Sequence, residues 1–365
     1  MRILLTAPSM QVGGAERLVT MIAAGMVERG HEVAVVAPAG PRDEDLAGVE
    51  HQRLILDDHE RSRIGAARTA AQLAGAIRHV RPDVVHAQNV KSATVAGSAA
   101  RIARPGRRPA VLATFHGVLP AEYGSSAKLL RLFADHVTCV SQDARERLVA
   151  TGLPAARASL IHNAVPLPEP LSGERRAQLS GEFGLDGAPL AVVVGRIVPQ
   201  KAHWRFLRAA LVATEAVPDA RFLVIGDGPL RQEVEGTAAG TRLSGRVLFT
   251  GVRPDARDLI ALSDALVFSS DWEGLSLAAL EALAAGVPVV STEVEGMREL
   301  LGGGAGVTAP LDDGTELGQR LAEVLLDRER RERMGRAGRE LIAADFSVNG
   351  MLDAYEARYR AMAGA

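Results

Sequence analysis

The 365 residues are 47% apolar and 24% charged, a globular composition, and their length suits two domains better than one core. Lys+Arg 42 against Asp+Glu 44 gives a net charge of −2, which excludes a wholesale polybasic nucleic-acid binder. The single Cys excludes a disulfide scaffold and a cysteine zinc cluster, and no apolar run reaches the roughly 18 residues of a bilayer span.

The chain opens Met1-Arg2-Ile3-Leu4-Leu5-Thr6-Ala7-Pro8, an apolar run broken too early for a signal peptide, so a cytoplasmic protein is expected. Strands are expected over 3–6, 32–36, 83–85, 110–114, 136–140 and 159–161, with helices over 15–29, 65–80, 92–103 and 142–150 between them. The apolar runs of the strands are mostly continuous, as when helices cover both faces of a parallel sheet. Pro166, Pro168 and Pro170, then Gly173 and a polar stretch to Gly187-Ala188-Pro189, read as a linker. Alternation resumes with strands over 190–194, 221–225, 247–249, 265–268 and 288–291 and helices near 203–217, 230–238, 256–262, 276–285 and 315–326. The fold class is α/β, two doubly wound Rossmann-like domains facing a cleft.

Charge is unevenly shared. Residues 1–165 carry 20 Lys+Arg and 15 Asp+Glu, net +5, and the remainder 22 and 29, net −7. A mildly basic first half, with the run Arg101-Ile102-Ala103-Arg104-Pro105-Gly106-Arg107-Arg108, suits an anionic partner such as a membrane surface or a phosphorylated lipid.

Candidate chemistry gathers where strands end. Gly13-Gly14-Ala15-Glu16 follows the first strand, where glycines admit a ligand to the backbone and a helix N-terminus offers N–H groups to an anion. The turn lacks the dinucleotide spacing, and no acidic residue ends the second strand, which argues against NAD. In Thr114-Phe115-His116-Gly117 a histidine ends a strand, open between a structural and a catalytic role. Gly195-Arg196-Ile197-Val198-Pro199-Gln200-Lys201 places two cations at a strand edge, in a chain with only three lysines against 39 arginines. Gly226-Asp227-Gly228-Pro229 and Gly251-Val252-Arg253 are further strand-end turns. In the run from Ser270 to Leu283, Glu273 lies in a loop, Ser276 is placed to cap a helix, and Glu281 interrupts an apolar helix and so requires a partner, for which ribose or sugar hydroxyls qualify. Asp271 and Glu273 alone are too few ligands for a metal. Cys139, in Val137-Thr138-Cys139-Val140, reads as a core thiol.

Taken in order, Gly13-Gly14-Ala15-Glu16, Thr-Phe-His-Gly ending at Gly117, Ile161-His162-Asn163-Ala164-Val165, Gly195-Arg196…Lys201, Gly226-Asp227-Gly228-Pro229 and Glu273…Glu281 followed by Gly286-Val287-Pro288 resemble the retaining glycosyltransferases of family 4, with the GT-B fold, over nearly the whole chain. The resemblance implies a glycosyltransferase moving a sugar from a nucleotide-diphosphate sugar, UDP-sugars favoured, to a hydroxyl acceptor on a lipid-linked or polysaccharide glycan. It implies domains 1–168 for the acceptor and 169–345 for the donor, with a last helix, about 346–365 and including Tyr355 and Tyr359, returning to the first. By resemblance, Arg196 and Lys201 hold the diphosphate, Glu281 the ribose and Glu273 the transferred sugar. Backbone N–H groups near Leu275 and Ser276 add to the phosphate site. His116 faces the reacting sugar, and Gly14, Gly226 and Val252 line the donor site. Where relatives show a Gly-Gly-x-x-Glu turn this chain has Val294-Glu295-Gly296-Met297-Arg298-Glu299, so Glu299 takes that place. No metal or other cofactor and no nucleic acid is implied, and peripheral contact at the inner membrane face would run through the first domain. A sugar-nucleotide epimerase of the same fold, a phosphorylase, a non-catalytic nucleotide-sugar binder and a transferase acting on a soluble acceptor are the alternatives.

Overall fold

The computed structural model describes residues 1–11, 13–46, 48–53, 63–103 and 108–364. In chain order the first part runs β1 (Arg2–Thr6), α1 (Gly14–Glu28), β2 (Glu32–Ala37), β3 (Glu50–Arg53), α2 (Arg63–Val80), β4 (Val84–Ala87), α3 (Val90–Ala103), β5 (Ala110–Phe115), α4 (Tyr123–Phe133), β6 (His136–Cys139), α5 (Gln142–Ala150) and β7 (Ala158–Leu160). The second runs α6 (Gly173–Glu182), β8 (Leu190–Val194), α7 (His203–Ala216), β9 (Arg221–Ile225), α8 (Arg231–Ala239), β10 (Val247–Gly251), α9 (Ala256–Leu262), β11 (Ala265–Phe268), α10 (Leu277–Ala285), β12 (Val289–Thr292), α11 (Met297–Leu301), β13 (Gly306–Ala309), α12 (Thr315–Leu326) and α13 (Arg328–Asp345). A last helix, α14 (Val348–Ala363), closes the chain.

Contacts divide these elements into one unit of Met1–Asn163 with Asn349–Ala365 and another of Ala164–Val348. The first holds a seven-stranded sheet of order β3-β2-β1-β4-β5-β6-β7, the second a six-stranded sheet of order β10-β9-β8-β11-β12-β13. All ladder pairs are parallel, for example Leu4 with Ala34 and Val85, and Val192 with Leu223 and Leu266. Strand side chains such as Ile3, Leu4, Leu5, Val192, Leu223 and Val267 are fully buried, which is why these runs are apolar without alternation. Each unit has its own core, one around Leu73, Ile77, Phe115 and Leu130, the other around Phe206, Phe222, Leu317 and Leu321.

The two sheets share one feature that positions chemistry. The strand order reverses between β1 and β4 in the first and between β8 and β11 in the second. At such a place the loops beyond the carboxyl ends run to opposite faces and leave a crevice in the sheet edge.

Two expectations change. Residues 173–182, read as linker, form α6, whose N-terminus is capped by the Ser172 hydroxyl accepting from the Arg175 N–H at 3.2 Å, so the irregular stretch is split into 166–172 and 183–189. The sequence reading also leaves out β3, α4, α11, β13 and α13. Of the basic run 101–108, Arg104–Arg107 lie outside the described residues, as does Val12 of the first glycine turn.

The closing helix α14 is part of the first unit. Arg29 pairs with Glu356 at 2.8 Å and with Asp353 at 2.7 Å, and His31 reaches Glu356 at 3.1 Å. The Arg29 guanidinium holds the Glu356 carboxyl down to about 2. On its inner face Tyr355 and Tyr359 are buried and stacked, 6.1 Å between ring centroids.

Candidate functional site

In the second unit the loops after β8 and β11 lie on either side of the strand-order reversal. The β8 loop turns through Pro199–Lys201 and ends at Ala202, a non-glycine residue held left-handed at φ 42°. The β11 loop is tied to it by backbone and side chain: the Asp271 N–H donates to Gln200 O at 2.9 Å, the Gln200 amide to Trp272 O at 3.0 Å, and the Ser269 hydroxyl to Lys201 O at 2.8 Å. Arg205, almost wholly buried, donates to Ser269 O at 2.5 Å and Asp312 O at 2.8 Å and pairs with Asp271 at 2.9 Å. Asp271 is thereby engaged with an arginine, which removes it from the acidic pair suggested by sequence.

At the centre of this arrangement the Lys201 ammonium donates to Glu273 at 2.5 Å, and the Ser270 hydroxyl donates to the same oxygen at 2.5 Å. Glu273 is 7% exposed and Lys201 18%, so the pair is largely withdrawn from water and each partner depends on the other. Arg196, five residues earlier in the same loop as Lys201, is exposed, and its side chain bonds to no described residue.

The glycines of this edge are required by close backbone approach. Gly226 sits at φ 138° and a Cβ there would lie 2.0 Å from Gly195 O, while its N–H donates to Gly251 O at 2.8 Å. The turns after β8, β9 and β10 are therefore stacked backbone on backbone, with Val252 projecting beyond β10 at 55% exposure. Ser276 occupies the N-cap of α10 without a side-chain cap bond, which corrects the expected hydroxyl cap, and Leu275 before it is buried. Gly296 crosses so near Gly274 that a Cβ would lie 2.2 Å from its carbonyl, and Glu299 falls in the first turn of α11. Glu281 has a protein partner, Arg257 of α9 at 3.1 Å, where ligand hydroxyls alone were anticipated.

In the first unit, Gly13 is the N-cap of α1 and Gly14 its exposed first residue. The Glu16 carboxylate folds back over this turn, accepting from the Ser9 hydroxyl, so the space a Gly13 side chain would fill belongs to Glu16. His116 follows β5. Its Nε2 lies 3.1 Å from Gln88 Oε1, and the Gln88 amide nitrogen lies 3.2 Å from Nε2 of the fully buried His86. His86 continues to Thr114 Oγ1 and, through Nδ1, to the Tyr359 hydroxyl, both at 2.7 Å, and Thr114 meets Tyr355 at 3.1 Å. Burial pushes His86 down to about 3 and His116 to about 4, so both rings are neutral near pH 7. Cys139 is buried and its thiol is pushed up to about 12, as for a core thiol.

The structure thus brings Lys201 and Glu273 into contact, sets Arg196, Gly226, Val252, Leu275 and Ser276 on loops of the same sheet edge, and puts Gly14 and His116 at the edge of the other sheet. Sequence reasoning missed Ser270, Arg205, Arg257, His86 and Gln88. The signal for the last two was present, since two polar side chains at the end of an apolar strand, His86-Ala87-Gln88, need partners. Among the described residues no group of three or more His, Cys, Asp or Glu is placed to hold a metal ion, and no helix is long and apolar enough to cross a membrane.

Comparisons with known proteins divide at the same region of the chain. Residues 12–168 match the family model described as Glycosyltransferase Family 4, and residues 176–341 the model described as glycosyl transferases group 1. The chain is 32% identical to an alpha-D-kanosaminyltransferase of Streptomyces kanamyceticus over 51% of this chain and 49% of that protein, so it spans about half the length of that relative. It is 26% identical to the lipopolysaccharide core biosynthesis glycosyltransferase LpsE of Rhizobium meliloti over 94% of each chain. Among solved structures it is similar to Anabaena Alr3699/HepE in complex with UDP-glucose, with a TM-score of 0.86 and 20% identity over 99% of this chain and 100% of that one.

Proposed function

Since the chain belongs to the glycosyltransferases of family 4 and has the GT-B fold, we propose that it is a retaining enzyme moving a sugar from a nucleotide-diphosphate sugar, UDP-sugars favoured, to a hydroxyl of a lipid-linked or polysaccharide glycan. The observation that carries this reading is the Lys201–Glu273 pair at the strand-order reversal of the second sheet, with exposed Arg196 in the same loop. An ammonium has three N–H donors. One is spent on Glu273, and two are left for diphosphate oxygens. Glu273, held by Lys201 and Ser270, is the acceptor for hydroxyls of the transferred sugar. Glu281, steadied by Arg257 in the apolar α10, takes the ribose, and the N-terminus of α10 at Leu275 and Ser276 offers N–H groups to the phosphates. Gly226 and Val252 border the nucleotide, and within the first unit His116 and Gly14 are the residues offered to hydroxyls.

In the transfer the anomeric C–O bond to the diphosphate breaks and one to the acceptor hydroxyl forms on the same face, with the hydroxyl proton passing to a donor phosphate oxygen. Negative charge grows on the leaving diphosphate, so Arg196 and Lys201 bind the transition state more strongly than the ground state. The name of LpsE and the UDP-glucose bound to HepE support the glycan acceptor and the uridine donor, while the kanosaminyltransferase supports a second reading, a soluble acceptor.

The test is nucleotide binding followed by product analysis. UDP should raise the melting temperature selectively over GDP, ADP and TDP without added metal, and a UDP-sugar should give a product with the donor's anomeric configuration. No stabilisation by any nucleotide, or an inverted product, would remove the reading.

A further inference from the structure

With the Gln88 amide nitrogen placed toward His86 and its oxygen toward His116, the hydrogen bonds around His116 take one direction. A side-chain amide nitrogen donates and cannot accept, so the Gln88 nitrogen requires Nε2 of His86 to be a bare acceptor, and the His86 proton sits on Nδ1, donated to Tyr359. Thr114, at 2.7 Å, then donates its hydroxyl hydrogen to that same Nε2, whose one lone pair it shares with the longer Gln88 bond, and accepts in turn from Tyr355 or Thr138. The Gln88 carbonyl oxygen, in contrast, can only accept, so the proton of His116 sits on Nε2. His116 Nδ1 makes no hydrogen bond with a described residue. Gln88, 1% exposed and just past the end of β4, is locked from both sides at the reversal of the first sheet.

We propose that Gln88 is a positioning residue that fixes His116 as the Nε2–H tautomer, so that the ring offers Nδ1 as a hydrogen-bond acceptor to a sugar hydroxyl. The sugar's place here rests on the function proposed above, while the tautomer rests on the geometry alone. Burial keeps the ring neutral, so it accepts from a hydroxyl and does not meet a phosphate as a cation. Replacing Gln88 by Leu removes both bonds. Replacing it by Glu keeps an acceptor for His116 and removes the donor to His86.

The experiment is nitrogen NMR of the ¹⁵N-histidine-labelled full chain at pH 7, the His116 signals being assigned as those lost in His116→Asn. The expected result is a proton on Nε2 in the wild type and in Gln88→Glu and a mixed tautomer in Gln88→Leu, with kcat/KM about tenfold lower in Gln88→Leu and largely recovered in Gln88→Glu. A wild-type ring protonated on Nδ1, or an unchanged ring in folded Gln88→Leu, would overturn the proposal, and so would two variants that melt lower without differing in kcat/KM. If the wild type transfers no sugar while the ring behaves as expected, the functional reading fails and the tautomer stands.

Discussion

The ends of β4 and β5, beside the reversal of the first sheet, and of β8 and β11, which flank that of the second, present opposite chemistry on parallel sheets. In the first, Gln88, His86, Thr114 and two tyrosines form a buried set of neutral groups that ends at half-buried His116. In the second, Lys201–Glu273, Arg205–Asp271 and Arg257–Glu281 are ion pairs. A neutral network supplies directional donors and acceptors matched to hydroxyls, whereas charged pairs suit a dianionic phosphate. The parallel sheet decides only where a ligand can sit, and the loops decide which ligand.

The largest test of this contrast removes the second unit's central charge. Lys201→Ala should lower turnover by roughly 10²–10³-fold. It also strands Glu273 in a buried position, at a cost of about 3 kcal/mol or more. Lys201→Ala/Glu273→Gln should therefore recover the melting temperature and not the turnover. Recovery of both would mean that the pair is structural only.

Acid should separate the units next. His86, His116 and His136, pushed by burial to about 3, 4 and 4, belong to the first, and only His203, at about 4, to the second. Each lies below the unfolded value near 6.5, so as pH falls from there toward 4 the unfolded chain takes up protons that the folded one refuses. Each such proton removes about 1.4 kcal/mol of stability per pH unit. Hydrogen exchange at pH 5 against pH 7 should show first-unit peptides losing protection ahead of second-unit ones, and equal loss would sink the assignment.

A smaller effect is expected at Glu281, where Ala should weaken UDP affinity about tenfold with kcat little changed, since half-exposed Arg257 can return to water. Unaltered affinity in isothermal titration would remove Glu281 from the ribose. The smallest effect concerns His203, whose two buried ring nitrogens have no hydrogen-bond partner among the described residues. His203→Leu should leave the melting temperature within a few degrees or raise it, and a fall of more than about 5 °C would reveal a partner such as a bound water.

The contrast also shows how far sequence reaches. Expected and observed bounds coincide for α5, β8, β9, α9, β11 and α12, where apolar runs meet clear stops. They fail where burial is thin. In α13 the string RERRERMGRAGRELI buries mainly Met334, Gly335, Gly338 and Ile342, so glycines stand where an apolar stripe is sought, and α6 buries only Leu179. Strand β13 is four residues after a glycine run. At the site, lone motifs were legible, but pairings between strands far apart in sequence, such as Ser270 with Glu273 against Lys201, or Gln88 with His116, follow only from the sheet order.

Helix α14 carries one more consequence. Tyr355 and Tyr359 fill the interior of a unit whose other residues end at Asn163, with the whole second unit translated in between. During synthesis the first sheet therefore waits, lacking two of its largest buried side chains, until the last helix leaves the ribosome, while the second unit is already complete. The order of maturation runs against the order of translation, and it is the early-made half that spends longest exposed to proteases and chaperones.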